Sequence, residues 1–179
     1  MALPRRRFLR TAGTLPFVAL AGCSSLPEST APTTDTPTYE RLRNIAVYVD
    51  DDVGVSFPEA VPRVSAPTNA DLLVLHGNAS VSAETAVSWL ADDRAVALLG
   101  ERAQETWTDW ARTEEFQNAF DTRGLGEANP APQLLVGATV GLRVTTYRKT
   151  WEDQPANGDI VAALDETMDD LETERSEEG

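Results

Sequence analysis

Short apolar runs alternate with segments of helical periodicity along most of this 179-residue chain. The run at residues 45–49 is rich in β-branched side chains and ends in three aspartates, and a proline-punctuated loop follows it as far as Pro67. The run at residues 72–75 is apolar at every position, which is typical of a central strand covered on both faces. A third run at residues 95–100 predicts the next strand of the same sheet.

Between the strands, the apolar positions change to helical spacing. The first helix is predicted by apolar residues at i, i+3, i+4 and i+7: Ala83, Ala86, Val87 and Leu90. Ser80 or Ser82 can cap it, because a serine hydroxyl accepts hydrogen bonds from the free N–H groups of the first turn. The next helical segment places three apolar side chains on one side: Ala103, Trp107 and Trp110. Thr113 is expected to cap a short helix that carries three more: Phe116, Ala119 and Phe120.

A long β-rich stretch covers residues 134–147, in which Gly137 and Gly141 are expected to mark a bulge or a hairpin corner. Asp159 is expected to cap a last helix with four apolar positions: Val161, Leu164, Met168 and Leu171. Nine carboxylate side chains occur from Asp159 onward against one arginine, and acid at a helix C-terminus opposes the macrodipole. We therefore expect the helix to fray after its last apolar position and to end in an acidic disordered tail over residues 172–179.

The alternation of strands and helices favours one α/β domain over residues 39–171, with three layers and a mostly parallel sheet of the flavodoxin-like kind. The chain ahead of this domain has a different composition. Residues 24–38 are rich in Thr, Pro and Ser, and Leu26 is their one large apolar side chain. Such a segment cannot form a core, so we expect an extended tether over residues 23–38.

The N-terminus carries the pattern of an export and lipidation signal. Residues 5–10 (RRRFLR) resemble the twin-arginine export motif through Arg5, Arg6, Phe8 and Leu9. The apolar stretch that follows contains Pro16 and is shorter than the about 20 residues that cross a bilayer as a helix. Residues 20–23 (LAGC) resemble a lipobox, in which the cysteine is lipidated. We therefore expect a signal peptide over residues 1–22, a lipid on Cys23, and anchoring at the outer face of the cell membrane.

The charge balance is strongly acidic. Without residues 1–22 the chain keeps 11 basic and 29 acidic side chains, a formal charge of −18, and Lys149 is its only lysine. This composition resembles that of proteins from extremely halophilic archaea, in which dense carboxylates hold hydrated cations and their mutual repulsion opposes folding at low salt. An ordinary acidic protein is the alternative. A negative surface also argues against nucleic acid as a partner, and the sequence does not identify a protein partner.

Few residues are available for metal or redox chemistry. Cys23 is the only cysteine and is expected to carry the lipid, which excludes disulfides, thiolate nucleophiles and iron–sulfur clusters. A structural zinc site needs about four Cys or His ligands and a blue-copper site needs two His, whereas His76 is alone. The aspartates at residues 50–52 suit Mg²⁺ or Ca²⁺ by ligand type. Adjacent side chains point in different directions, however, so we expect a solvated surface, no metal and no cofactor.

Ligands of open α/β sheets bind outside the carboxyl ends of the strands. Polar groups at three predicted strand ends give a candidate ligand site of Asp50, His76 and Glu101. His76 closes a strand, but no Gly-x-Ser-x-Gly nucleophile elbow occurs in the chain. We therefore expect a hydrogen-bonded structural histidine and no catalytic residue. Residues 78–80 (NAS) form an N-glycosylation sequon, which makes Asn78 a candidate glycosylation site.

The segments DLLVLHG at residues 71–77 and AVALLG at residues 95–100 flank a predicted helix. This arrangement resembles the central part of class I glutamine amidotransferase-like domains, in which the second strand leads to a cysteine nucleophile. Here Gly100 and Glu101 stand at that point. The resemblance implies an amidotransferase-like fold without the thiol chemistry. The generic β–α–β pattern is an alternative explanation of the same residues.

Taken together, these features favour a non-catalytic, membrane-anchored cell-surface lipoprotein of a halophilic archaeon, with a binding or envelope role. The alternative is a hydrolase-like enzyme that uses His76 with nearby carboxylates. The two differ in one observable property of the folded domain. An enzyme of this kind needs a cavity that holds His76 with a Ser, Asp or Glu at hydrogen-bond distance.

Overall fold

The computed structural model of the protein describes residues 38–121 and 133–178. Six strands lie in this part of the chain: β1 (Val47–Val49), β2 (Arg63–Val64), β3 (Leu72–His76), β4 (Ala95–Leu99), β5 (Leu134–Val140) and β6 (Arg143–Lys149). They form one sheet in the order β2-β1-β3-β4-β5-β6. The first four strands are parallel, and β5 is antiparallel to both of its neighbours. The predicted single α/β domain with a mostly parallel sheet is confirmed.

Helices cover both faces of this sheet, which gives the domain three layers. The described α-helices are α1 (Ala83–Ala91), α2 (Ala103–Ala111), α3 (Glu114–Ala119) and α4 (Asn157–Glu178). Alternate residues of β3 and β4 point to opposite faces, as the strand period of two requires. Leu73 and Val96 belong to the core that contains the buried residues of α1–α3, whereas Leu72 and Ala95 belong to the core under α4.

The central strands match the sequence pattern, whereas β1 and β2 on one side of the sheet differ from it. The first four residues of β3 are buried, as the continuous apolar run at residues 72–75 predicted. β1 begins at Val47, two residues later than predicted. The loop before Pro67 also contains β2, which the sequence analysis missed. A strand of two residues, which pairs only with β1 at Val47 and Tyr48, carries no periodic pattern to recognise.

The helix caps resolve the alternatives that the sequence left open. Ser82 caps α1, because its hydroxyl accepts from the backbone N–H of Thr85 at 3.2 Å. Thr113 caps α3 as predicted, through the N–H of Phe116 at 3.3 Å. The buried face of α1 also includes Trp89, which lies outside the predicted stripe. The helix packs against both the sheet and α3, so its buried face is wider than one stripe. Ala119, which we expected to pack with Phe116 and Phe120, is exposed.

β5 and β6 form a hairpin with a two-residue turn at Gly141 and Leu142. Gly141 has φ +60°, so a glycine at the first central position suits the twisted hairpin turn. The predicted corner is therefore confirmed at this residue. Gly137 is not a bulge, because it pairs in regular register with both neighbouring strands. A Cβ atom at this position would collide with the indole ring of Trp107.

Helix α4 begins two residues before the predicted cap. Its first residue is Asn157, whose side chain exchanges two hydrogen bonds of 2.7 Å with the backbone of Ser56. Asp159 lies inside the first turn, where its Oδ2 atom accepts from the N–H of Ala156 at 3.0 Å. The carboxylate therefore satisfies a free backbone donor at the helix start, from within the helix instead of from the residue before it.

The same helix continues to Glu178, and the residues expected to form a disordered tail are helical as far as that residue. Arg175 provides a physical reason, because its guanidinium donates to the backbone oxygens of Thr139 and Asp93 at 2.9 Å each. Arg143 forms an ion pair with Glu178 near the last turn. Contacts with the sheet thus offset the unfavourable charge–dipole interaction that predicted fraying.

The predicted signal peptide over residues 1–22 and nearly all of the tether lie outside the described residues. In the ranges that the structure does describe, none of the helices has the length and apolarity needed to cross a membrane.

Candidate functional site

Most strands end at the same edge of the sheet, and polar residues follow them there. The carboxyl ends of β1, β3, β4 and β6 lie there, and the antiparallel β5 begins there. The first five strands follow the order 2-1-3-4-5, which places the reversal of strand order between β1 and β3. Ligands of doubly wound sheets bind at this reversal, outside the carboxyl ends. The architecture therefore points to this edge as the candidate site.

An open cleft of about 790 Å³ occupies this edge, and we call it the edge cleft. Its apolar wall consists of Val53, Val55, Leu99 and Ile160. Its acidic lining residues are Asp52, Glu101, Glu152 and Asp153. The remaining polar lining side chains are His76, Gln133, Gln154 and Asn157. The volume is within the range of small-molecule pockets in proteins.

The aspartates after β1 form a turn, and this turn decides which of them reaches the edge cleft. The N–H of Asp50 donates to the oxygen of Val74 at 3.0 Å, which extends the pairing with β3 by one residue. The N–H of Val53 then donates back to the oxygen of Asp50 at 3.0 Å. As a result Asp52 lines the edge cleft and Asp50 does not. The candidate site therefore brings His76 and Glu101 together with Asp52.

His76 is exposed at the end of β3, and its hydrogen bonds come from a neighbour in the chain. Its Nδ1 atom can donate to the Oδ1 atom of Asn78 or accept from the backbone N–H of Asn78, whose nitrogen lies 3.3 Å away. Among the described residues, no Ser, Asp or Glu side chain forms a hydrogen bond with the ring. The expected hydrogen bond is therefore present, but its partner is an amide and not a carboxylate or a nucleophile.

Two glycines bring the strand ends close together beneath this histidine. The N–H of Gly77 donates to the oxygen of Leu99 at 2.7 Å, and a Cβ atom on Gly77 would lie 3.0–3.1 Å from three backbone atoms. Gly100 has φ +120°, a conformation that other residues rarely adopt. Gly100 and the exposed Glu101 occupy the point where the amidotransferase-like resemblance expects a cysteine. Neither offers a nucleophilic hydroxyl or thiol.

The edge cleft is negatively charged. Four carboxylates line it, and none of its lining residues in the described ranges is Lys or Arg. Arg102, the residue before α2, forms an ion pair with Glu105 in the first turn of that helix, with 2.8 Å between Nε and Oε2. The hydrogen bond between the two side chains, together with the attraction between their charges, raises the pKa of Arg102 and lowers the pKa of Glu105. Within residues 38–121 and 133–178, no three Asp, Glu, His or Cys side chains come together closely enough to hold a metal ion.

The apolar pattern of the sequence does not reveal the part of the edge cleft that follows β6. Glu152, Asp153 and Gln154 come from the segment between β6 and α4, and Asn157 is the first residue of α4. The available signal was the hairpin corner at Gly141. If β6 runs antiparallel to β5, its end returns to the edge where β4 ends. The segment after residue 149 must then face the polar residues that follow β1, β3 and β4.

Of the remaining predicted sites, the glycosylation sequon lies within the described residues and the export and lipidation residues do not. Asn78 and Ser80 are exposed in the turn after β3. The export residues Arg5, Arg6, Phe8 and Leu9 and the lipidation residue Cys23 lie outside the described residues. Comparison of the chain with protein-family profiles, with curated proteins and with solved structures finds no match.

Proposed function

We propose that this protein is a membrane-anchored cell-surface lipoprotein of a halophilic archaeon, and that its α/β domain has a non-catalytic binding role. The observation that supports binding is the edge cleft, where an apolar wall faces several polar side chains at the reversal of strand order. A concave site with both kinds of surface can bury part of a small molecule and orient it.

The surroundings of His76 support a role without catalysis. A general base must lie within about 3 Å of the group that it deprotonates, or reach it through one water. The described partner of the imidazole is Asn78, whose amide neither attacks a substrate nor becomes a nucleophile by losing a proton to histidine. The hydrolase-like alternative keeps one supporting observation, because His76 and Glu101 line the same cleft.

The charge of the edge cleft favours a cationic ligand over an anionic one, since complementary potentials decide which partners enter a site. A thermal shift assay in 2 M KCl can compare spermidine with citrate as probes. We expect stabilisation by spermidine only, and a smaller shift for Glu101→Gln. Glu59→Gln is the matched control, because Glu59 is exposed and does not line the cleft. Stabilisation by citrate, or equal shifts for both variants, would contradict the binding role of this cleft.

Membrane anchoring is tested at Cys23. We expect Cys23→Ala to leave the membrane fraction or to accumulate as unprocessed precursor, because a two-chain lipid anchors stably and its loss leaves no other anchor in the motif. Ser24→Ala is the control, since it changes the next residue and keeps the lipobox. Replacing both Arg5 and Arg6 with Lys is expected to hold folded precursor in the cytoplasm. Wild-type membrane levels of the Cys23→Ala protein would refute the anchor.

Catalysis is tested by His76→Gln, which keeps the size and hydrogen bonding of the side chain. The purified wild-type domain should release no product from chromogenic ester and peptide substrates in molar KCl beyond the rate of this variant. Circular dichroism confirms that both proteins are folded. Turnover by the wild type that His76→Gln abolishes in a folded protein would establish the hydrolase alternative.

A further inference from the structure

The sequon at residues 78–80 is presented on the surface of the folded domain. It lies in the turn that follows β3, where the N–H of Ala79 donates to the oxygen of His76 at 2.9 Å. Asn78 and Ser80 are both exposed. An N-glycan acceptor must enter the site of a transferase, so an exposed turn is the setting that the modification requires.

The two groups that the sequon needs, the Nδ2 atom of Asn78 and the hydroxyl of Ser80, do not stabilise the described fold through hydrogen bonds. His76 contacts Asn78 through the Oδ1 atom, and the Nδ2 atom has no hydrogen-bond partner among the described residues. The hydroxyl that caps α1 belongs to Ser82, not to Ser80. Modification of Nδ2 therefore leaves both the contact with the imidazole and the helix cap in place.

A polar cavity of about 400 Å³ opens beside Asn78, and Arg102, Thr106, Asp109 and Trp110 are among the residues that line it. Asp109 offers carboxylate oxygens to sugar hydroxyls. Arg102 has guanidinium N–H groups beyond the one that it gives to Glu105. The hydroxyl of Thr106 donates to the oxygen of Gly77 at 2.6 Å and can still accept. These donors and acceptors match the hydroxyls of a carbohydrate.

We infer that Asn78 carries an N-linked glycan whose first sugars lie in this cavity. The inference depends on the export that is part of the proposed function. In the transfer step, Nδ2 of Asn78 forms a bond to C1 of an oligosaccharide linked to a lipid phosphate. The C1–O bond to the phosphate breaks, the lipid phosphate leaves with the electron pair, and the amide gives one proton to a base of the transferase.

Intact-mass spectrometry of the protein purified from its native membranes tests the modification. We expect the wild type to carry a glycan increment in addition to the lipid increment. Asn78→Gln and Ser80→Ala should each lose only the glycan increment, whereas Ser80→Thr, which keeps a sequon, should retain it. Ser82→Ala is the matched control, because it removes a hydroxyl two residues further on and leaves the sequon intact.

A wild-type mass that shows the lipid increment alone would overturn the inference and leave the lipoprotein proposal standing. A glycan increment that persists in Asn78→Gln would place the sugar elsewhere and would also overturn it. The position of the sugars is tested by Asp109→Ala. We expect this change to lower Tm by about 2–4 °C in the glycosylated protein and to leave Tm unchanged in the Asn78→Gln background. Equal effects in both backgrounds would exclude the cavity as the place of the first sugars.

Discussion

Gly137 lies in the middle of β5, directly beneath the indole of Trp107. The contact leaves no room for a side chain larger than the hydrogen atom of glycine. The indole packs edge to face with Phe116, with ring centroids 5.7 Å apart, and cannot move away without disturbing the core. We predict that Gly137→Ala lowers the free energy of unfolding by about 1–3 kcal/mol, the usual cost of overpacking. Chemical unfolding in molar KCl measures this change.

The matched control for this prediction is Gly54→Ala. Apart from Gly54 itself and its two chain neighbours, no described residue has an atom within 4 Å of the Cβ that this substitution would add. Its effect should stay within about 0.5 kcal/mol, or be slightly stabilising through the unfolded chain. Equal stabilities of the two variants would show that the indole does not constrain position 137.

Tyr147 on β6 is half-buried, and its hydroxyl oxygen is shielded from solvent. Burial, followed by the nearby carboxylates of Glu174 and Asp170, raises the pKa of this phenol well above its ordinary value. In the unfolded chain the phenol ionises near pH 10, whereas in the folded protein it stays protonated. The contribution of this phenol to the free energy of unfolding is therefore fully present below about pH 10 and is lost as the pH rises above that value.

We predict that Tyr147→Phe loses less stability than the wild type between about pH 10 and pH 11. The reason is that phenylalanine has no proton to release when the chain unfolds. Unfolding by urea at a series of pH values, with salt held constant, measures the two slopes. Equal loss of stability in both proteins would show that the raised pKa of Tyr147 does not cause the pH dependence.

At the scale of elements, the last turns of α4 depend on their contacts with the sheet. Arg175 reaches the backbone oxygens of Thr139 and Asp93 across the edge of the domain. We predict that Arg175→Gln lowers the free energy of unfolding by about 1–3 kcal/mol, because charge-assisted hydrogen bonds are lost. The helix should also fray beyond Leu171, so that carboxypeptidase trims it faster.

Arg112→Gln is the matched control for this experiment. It removes the same charge from an exposed position at the end of α2, where no ion pair holds the side chain among the described residues. Trimming at the same rate in both variants would mean that Arg175 does not hold the helix end.

The elements that the sequence analysis found are those with a local cause. The apolar run of β3, the capping hydroxyl of Thr113 and the glycine turn at Gly141 each act within a few residues. The elements that it missed have distant causes. β2 exists because Val47 and Tyr48 offer an edge to pair with, and the end of α4 is held by residues far along the chain.

The candidate site divides in the same way. His76 and Glu101 follow strands that the apolar pattern predicts, so their common edge was predictable. Asp52 lines the edge cleft and the expected residue Asp50 does not, because the turn after β1 is set by backbone hydrogen bonds that the apolar pattern does not reveal. Residues 152–157 could be assigned to the edge cleft only if the path of the hairpin were known. That path depends on the register of β5 against β4.

At the scale of the whole molecule, negative charge dominates. The full chain has a formal charge of −14, and α4 alone carries nine carboxylate side chains. We predict that circular dichroism shows loss of structure as KCl falls below about 1 M, because hydrated cations must balance the repulsion. Sucrose in dilute buffer is the control and should not replace the salt. An unchanged spectrum in dilute buffer would argue against a halophilic origin.

The two cores of the domain share the same central strands, and this has a consequence for how protons exchange with solvent. Every residue of β5 is buried, as are the first four of β3 and of β4, with one core on each side. Neither helical layer can detach without exposing the strands that support the other. The amide hydrogens of these strands should therefore exchange with deuterium last and together, at a rate that reports global unfolding. Those of β2, which pairs through two residues, should exchange first among the strands.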